Sequence, residues 1–278
     1  MSEKTLFIKI FQPFAQYRNP FTFYYAQTYP LPPKSTIVGM LQNVVGDWYG
    51  NEFGIENWWN LKVSVHGGFE SVFWNYQQLI KGELLLSGVG ILNKNSDNPG
   101  GNIWLPLYGP GLTSRRSPTY QQELFNGHLY IFIRGDGELI DKIKEALEHP
   151  SKVLSLGRSE DVIFIKEIKI FDDVKEDEVE GDLKLTLPTY IIERGFPIKM
   201  SKYPVYSIPT KVIFKNQDNA VKHKSEITKT TERDVEYETV IYTGYDYQII
   251  LKDDQTLKVE IYDVEDKKIK IISDFGWL

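Results

Sequence analysis

No cysteine occurs in the 278 residues, which removes disulfide frameworks, thiolate metal sites and cysteine nucleophiles from consideration. No apolar run reaches membrane-spanning length, and Lys9 and Gln12 interrupt the stretch where a secretory apolar segment would lie. The expectation is a soluble, cytoplasmic protein with no membrane partner. Histidine is scarce: His66, His128, His149 and His223 are scattered, with no HxH, HExxH or HD pair, so metal-dependent hydrolysis has no ligand set. The carboxylates form charge runs rather than a spaced dyad. There is no serine nucleophile elbow, and Pro33-Lys34-Ser35 lacks the glycines that would make it a phosphate loop. No cofactor or metal is expected. An excess of positive charge is missing too: the net charge is −6. Residues 1–171 hold 16 basic and 16 acidic side chains and residues 172–278 hold 16 and 22, so the surplus negative charge sits in the last third. A globally basic nucleic-acid binder is excluded, whereas a local cationic groove in the first part is not.

Apolar residues make up 41% of the chain, enough for a sizeable core in one large or two small domains. The most informative run is Tyr29-Pro-Leu-Pro-Pro-Lys-Ser-Thr-Ile-Val-Gly-Met-Leu-Gln-Asn-Val-Val-Gly-Asp-Trp48. Its three prolines hold the approach extended, and Lys34, Ser35 and Thr36 open a helix expected over 35–48. Ile37, Met40, Leu41, Val44, Val45 and Trp48 then recur at helical spacing as one buried face. Gly39 and Gly46 each lower helix propensity by about 1 kcal/mol against alanine, so close packing or a ligand should compensate. The first turn offers free N–H groups, the Ser35 hydroxyl and the Lys34 cation to an anion; the plainer reading is a capped helix packed on a sheet.

Strands are expected at 5–11, at 61–69 and 71–78 (one strand broken at Gly67-Gly68, or two), at 128–134 and at 162–171. A second helix is expected over 139–147, ended by His149-Pro150. Between them, residues 78–127 are punctuated by glycine and include the nearly apolar-free Asn93–Asn102, which reads as a functional loop or protruding hairpin. The order strand, helix, strand, insertion, strand, helix, strand is the βαββαβ pattern of the RRM/ferredoxin-like fold. Residues 172–182 form a charged, glycine-containing joint, the best boundary candidate. Beyond it, 183–187, 205–214, 239–251, 257–264 and 268–274 read as strands, with a polar and mobile 216–233. The expected class is therefore α+β: a domain over 1–171 carrying the insertion 78–127, followed by a smaller β-rich domain over 172–278.

Gly157 permits positive φ and Arg158 can fork two N–H bonds to a phosphate or carboxylate; the plainer alternative is a tight turn with an exposed arginine. Arg115-Arg116 is a cationic spot on a loop, or a solvated pair without a partner. Trp104, Tyr108 and Tyr120 are stacking candidates, or caps of the hairpin's own small core. Phe11-Gln-Pro-Phe-Ala-Gln-Tyr-Arg-Asn-Pro20, the Tyr29–Trp48 run and Leu154-Ser-Leu-Gly-Arg-Ser-Glu-Asp161 together resemble the fifth CRISPR-associated (Cas) protein family of the RAMP superfamily. The likeness is to its type I-B branch and covers residues 1–171. It implies a non-catalytic subunit of a Cascade surveillance complex in antiviral defence. Such a subunit binds the 5′ handle of crRNA, caps the filament of backbone subunits, touches the large subunit and meets target DNA only indirectly. It implies that the insertion is a thumb-like hairpin set against the crRNA and the adjacent backbone subunit, and that the Gly157 turn lies beside the RNA-binding face. Arg18 fits the family's Pro-x-Ala-x-x-Arg stretch as Pro13–Arg18. The residues so marked for RNA are Arg18, Lys34, Ser35, Arg115, Arg116, Gly157 and Arg158. Two alternatives stay open: a metal-independent endoribonuclease processing precursor crRNA, with His66 or His128 beside a tyrosine, and a structural subunit contacting protein only.

Overall fold

The computed structural model describes residues 3–22, 25–80, 116–199, 202–216, 219–228, 230–244, 248–265 and 267–278. It is a mixed α+β, strand-dominated molecule. β1 (Glu3–Ala15) leads through the short β2 (Tyr25–Ala26) to α1 (Lys34–Val45) and α2 (Ile55–Asn60). β3 (Lys62–Ile80) and β4 (Arg116–Asp136) follow, then α3 (Gly137–Glu148) and β5 (Phe164–Phe171). These strands form one sheet in the order β3-β4-β1-β5, antiparallel at each step, with β2 added parallel to β4.

Alternation along β1 and β4 divides that sheet into two buried faces. Leu6, Ile8, Ile10, Leu129, Ile131 and Ile133 join the core that contains Ile37, Leu41, Val44, Leu139, Ile140 and Ile143 of α1 and α3. Phe7, Tyr130 and Phe132 point the other way and pack with Tyr262, Val264, Ile269, Ile271 and Trp277. α3 starts where Asp136 caps it by accepting from the Glu138 and Leu139 N–H groups.

Several local expectations need correction. α1 begins at Lys34 with Pro33 as its N-cap and no side-chain cap, so neither hydroxyl caps it; it stops at left-handed Gly46, leaving Trp48 outside. β3 is one unbroken strand. Gly67 (φ +114) does not interrupt it but lets it approach β4: a Cβ there would lie 2.1 Å from the His128 carbonyl oxygen. Residues 116–127, expected within the insertion, belong to β4, and residues 81–115 lie outside those described.

The charged joint is itself structured. β6 (Lys175–Glu180) and β7 (Asp182–Lys184) precede β8 (Tyr190–Ile192), β9 (Val205–Asn216) and β10 (Asn219–Ala220). β11 (Glu232–Tyr242) and β12 (Gln248–Ile250), expected as one strand, are separate, and β13 (Thr256–Val264) and β14 (Lys267–Ile272) close the chain. Three small sheets result: β10-β9-β11-β8, β12-β7 and β14-β13-β6. The acidic β6 keeps its extended form through a continuous antiparallel ladder with β13. Within 216–233, Val221 is fully buried, and its carbonyl accepts from the Tyr49 hydroxyl at 3.0 Å.

The two halves share their cores. Tyr190, Ile208, Val221 and Val240 sit in the same apolar cluster as α1. The Tyr190 hydroxyl bonds both the N–H and the carbonyl of Leu31, and Val63 exchanges two backbone bonds with Leu278. On the opposite face Arg134 of β4 pairs with Glu260 of β13 and bonds Tyr262, its guanidinium 4.3 Å from the Trp277 ring centroid. Burial works against the Arg134 charge, but Glu260 and Tyr262 outweigh it and raise its pKa. Because Glu260 is buried, removing one partner strands a charge, at a cost of about 3–5 kcal/mol. Arg134→Ala should reduce the unfolding free energy measured in urea by that amount, whereas a change within about 0.5 kcal/mol would mark the pair as solvent-compensated.

Candidate nucleic-acid interface

The Gly157 turn is held to the end of β1 by hydrogen bonds between the two distant stretches singled out in the sequence. Gln12 donates from Nε2 to the Leu156 carbonyl at 2.7 Å, and the Tyr17 hydroxyl donates to Gln12 Oε1. The Gln16 N–H donates to Asp161 Oδ2 at 3.0 Å. Gly157 adopts φ +111, and a Cβ there would fall 2.9 Å from Asp161 Oδ2 and 3.0 Å from the Gln16 carbonyl oxygen. Only glycine fits without displacing the groups that join the two stretches.

Arg158 is not the open fork that the sequence anticipates. Its guanidinium donates to Asp161 Oδ1 at 2.7 Å and to Glu123 Oε1 at 2.9 Å, and its backbone N–H donates to Asp161 Oδ2. Burial opposes its charge, yet hydrogen bonds to Asp161 and Glu123 raise its pKa overall. Asp161 is fully buried and Glu123 nearly so, so this is a positioning network that ties the turn to β4.

Arg18 lies on the same side of the molecule. Residues 17–22 and 25–29 are drawn together by the Arg18–Thr28 bridge and the Tyr29 N–H to Tyr17 carbonyl bond. Gln122 of β4 anchors this loop, accepting from Gln16 Nε2 through its carbonyl and from the Thr28 N–H through its side chain. The loop places Tyr25 beside the root of the β3–β4 hairpin. There Tyr25, Trp74, Tyr76 and Tyr120 are each about half exposed, with Tyr76 and Tyr120 ring centroids 5.3 Å apart and Tyr25 and Trp74 6.0 Å apart. Arg18 is exposed and makes no side-chain hydrogen bond or ion pair among the described residues. Arg116 opens β4 opposite Ile80. Arg115, Trp104 and Tyr108 lie outside the described residues. The Arg18 loop and the Gly157–Arg158 turn therefore both attach to residues 120–123 of β4, and Arg116 lies further along the same strand.

Lys34 and Ser35 do not join them. Lys34 is buried, with no hydrogen-bonding partner among the described residues; burial, aided by Lys211, pulls its pKa down to about 8. Ser35 lines a cleft of about 290 Å³ with Trp48, Trp59, Lys211, Phe214 and Arg233, against β9 rather than the hairpin root. Sequence reasoning misses Gln12, Gln16, Glu123, Asp161, Tyr25, Trp74 and Tyr76. Asp161 and the two glutamines stand inside the motifs that carry the family resemblance, but nothing in the sequence pairs them.

His66 is buried, its Nε2 2.9 Å from the Ser64 hydroxyl, and burial drives its pKa down to about 3. It is neutral at pH 7 and out of reach of a substrate. Among the described residues no group of three acidic or histidine side chains is arranged to hold a metal, and no helix is long and apolar enough to cross a membrane.

The family described as CRISPR-associated protein (Cas_Cas5) matches residues 5–245. The chain belongs to that family. No curated protein matches it. Among solved structures, a chain of a CRISPR RNA-guided surveillance complex is 14% identical with a TM-score of 0.46, covering 87% of this chain and 95% of that one. A CRISPR protein from Archaeoglobus fulgidus is 11% identical with a TM-score of 0.45, covering 96% and 98%. A Cas protein crystal structure is 20% identical with a TM-score of 0.33; the match covers 57% of this chain and spans 58% of that one. At these scores the likenesses carry no functional argument.

Two measurements test the assignments of charge. Arg158→Ala leaves Asp161 buried without its cation and should destabilise the protein by about 3–5 kcal/mol, read by chemical denaturation; an unchanged midpoint would make Arg158 a surface residue. For His66, the folded-state pKa of about 3 lies below the ordinary value of 6.5. The unfolded chain therefore binds the proton first, and stability falls as pH drops through that window, by about 1.4 kcal/mol per unit. His66→Gln should flatten the stability curve between about pH 6 and pH 4 by that slope. An identical curve in the variant would show that the imidazole titrates normally.

Proposed function

We propose that the chain is a non-catalytic subunit of a type I-B Cascade surveillance complex that binds the 5′ handle of crRNA and caps the filament of backbone subunits, working in the cytoplasm. The observation that carries this is the family match over residues 5–245, with the surface at the hairpin root as its chemical counterpart. That surface offers Arg18, unpaired among the described residues, and four half-exposed aromatic rings beside a rigid glycine turn. Single-stranded RNA is held by this combination, with cations on phosphates and rings on bases. The strand order β3-β4-β1-β5 around two crossover helices supports reading residues 1–171 as an RRM-like domain, with the hairpin of β3 and β4 as the base of a thumb. Arg158 and Gly157 act here by fixing the turn, and Lys34 and Ser35 stand apart near the β9 cleft. Partners are the crRNA, the backbone subunit and the large subunit, with target DNA met only through them.

Binding of handle RNA to the purified chain, followed across salt concentrations, tests the reading. Every cation withdrawn from a phosphate should reduce the log–log salt slope by about 0.7. Arg18→Ala combined with Arg116→Ala should therefore weaken binding and flatten the slope by about 1.4. A slope identical to that of the unaltered protein removes the hairpin root from the RNA interface and leaves a subunit that contacts protein only. Incubation with repeat RNA in EDTA is the second arm: intact RNA is expected, and clean cleavage abolished by His128→Ala would establish the ribonuclease instead.

A further inference from the structure

Among the described residues, the face of the main sheet opposite the helices is covered for only part of its length. Cover comes from the β13–β14 hairpin and Trp277, which bury Phe7 and Phe132 completely. It ends where Lys9 of β1 pairs with Glu265 and Lys267 reaches the Tyr130 ring. In the next row of the sheet Gly68 of β3, His128 of β4, Phe11 of β1 and Phe164 of β5 stand side by side in register. Odd positions of β1 and even positions of β4 face this way, as Phe7 and Phe132 do, so Phe11 and His128 lie on the open face.

We propose that this open row is a base-stacking platform for single-stranded nucleic acid, separate from the hairpin root and lengthening the path of a bound strand across the protein. Phe11 and His128 are register partners on the two central strands, with ring centroids 5.3 Å apart, and Phe164 follows at 6.1 Å from Phe11. Planar side chains on neighbouring central strands of a four-stranded sheet present successive π-faces to successive bases. Phe164 is half exposed and His128 is exposed, so these faces are open to a ligand. Among the described residues Gly68 has nothing within 4 Å of where its Cβ would stand, which leaves the row open to them at its β3 end. Lys166 falls at the register shift between β1 and β5, and its ammonium stands 5.6 Å from the Phe11 ring centroid and 5.9 Å from that of Phe164. A cation over the stacking rings is where the phosphate of a stacked nucleotide needs one. Further along β1, β3 and β4, Phe14, Phe73 and Phe125 are also exposed, with Phe14 and Phe125 centroids 5.3 Å apart. The chemistry favours a nucleic acid over a protein because the Lys166 ammonium stands between the Phe11 and Phe164 rings, where it would meet the phosphate of a stacked nucleotide.

The platform extends the proposed reading, because it presumes that the chain binds single-stranded RNA; the experiment separates the two. The full chain is titrated into a short fluorescein-labelled single-stranded oligoadenylate and followed by anisotropy. Unaltered protein, Phe11→Leu, Phe164→Leu and Arg18→Ala/Arg116→Ala are compared, each checked for an intact thermal transition. Phe164→Leu should weaken binding about tenfold while leaving the salt slope unchanged. Ultraviolet crosslinking followed by peptide mapping should place adducts on Phe11, His128 or Phe164. Unaltered affinity in both phenylalanine variants, with binding abolished only in the arginine variant, overturns the platform and keeps the proposed function. No binding by the unaltered protein overturns both. A Phe164→Leu protein that binds oligoadenylate normally but fails to enter the assembled complex would assign the row to a protein partner and overturn the platform as well.

Discussion

The buried carboxylate of Asp161 is the constraint on which the candidate surface depends. It accepts from the Gln16 N–H, the Arg158 N–H and the Arg158 guanidinium. A desolvated charge is tolerated only when its lone pairs are filled, and here the donors come from segments some 145 residues apart. The result is one rigid unit: the end of β1, the left-handed turn at Gly157 and, through the arginine, Glu123 of β4. The Arg18 loop is fastened to the same strand by Gln122. Removing the charge would loosen all of these parts together.

A second constraint shapes where ligands can reach. The sheet needs cover on both faces, and the helices supply it on one. The C-terminal half supplies it on the other, anchored by Arg134 between Glu260, Tyr262 and Trp277. The acid-rich last third is thus a structural cover as well as a charged surface. Where that cover stops, aromatic side chains stay in solvent, although burial would otherwise favour each by roughly 1.5–3 kcal/mol. An exposed, ordered row of rings is a feature that a partner completes.

Lys34 answers to different forces. A cation at the first position of α1 is unfavourable to the helix dipole, and burial lowers its pKa to about 8. Ser35 beside it opens onto the cleft bounded by Trp48, Trp59 and Phe214. Gly39 in mid-helix lines the same cleft and would accommodate a Cβ without contact. The glycine's cost to the helix is therefore not offset by packing among the described residues.

Much of the element order is legible in the sequence because periodicity is local. Ile37, Met40, Leu41 and Val44 mark the face of α1, Leu139, Ile140 and Ile143 that of α3, and 128–134 a strand. The family likeness rests on short motifs and is matched over residues 5–245. Strand boundaries at Gly67 and at 116–127 differ from expectation because a glycine that permits close approach looks, in sequence, like a glycine that breaks a strand. Local sequence alone determined the cysteine-free chemistry, the near neutrality of the first 171 residues and the positions of α1 and α3, but not that of α2. Only the tertiary structure decided that Arg158 is already paired, that Lys34 is buried away from the hairpin root, and that Phe11, His128 and Phe164 share an open row. Those outcomes depend on which side chains from remote segments meet in space, and no pattern along the chain encodes the hydrogen bond between Gln16 and Asp161.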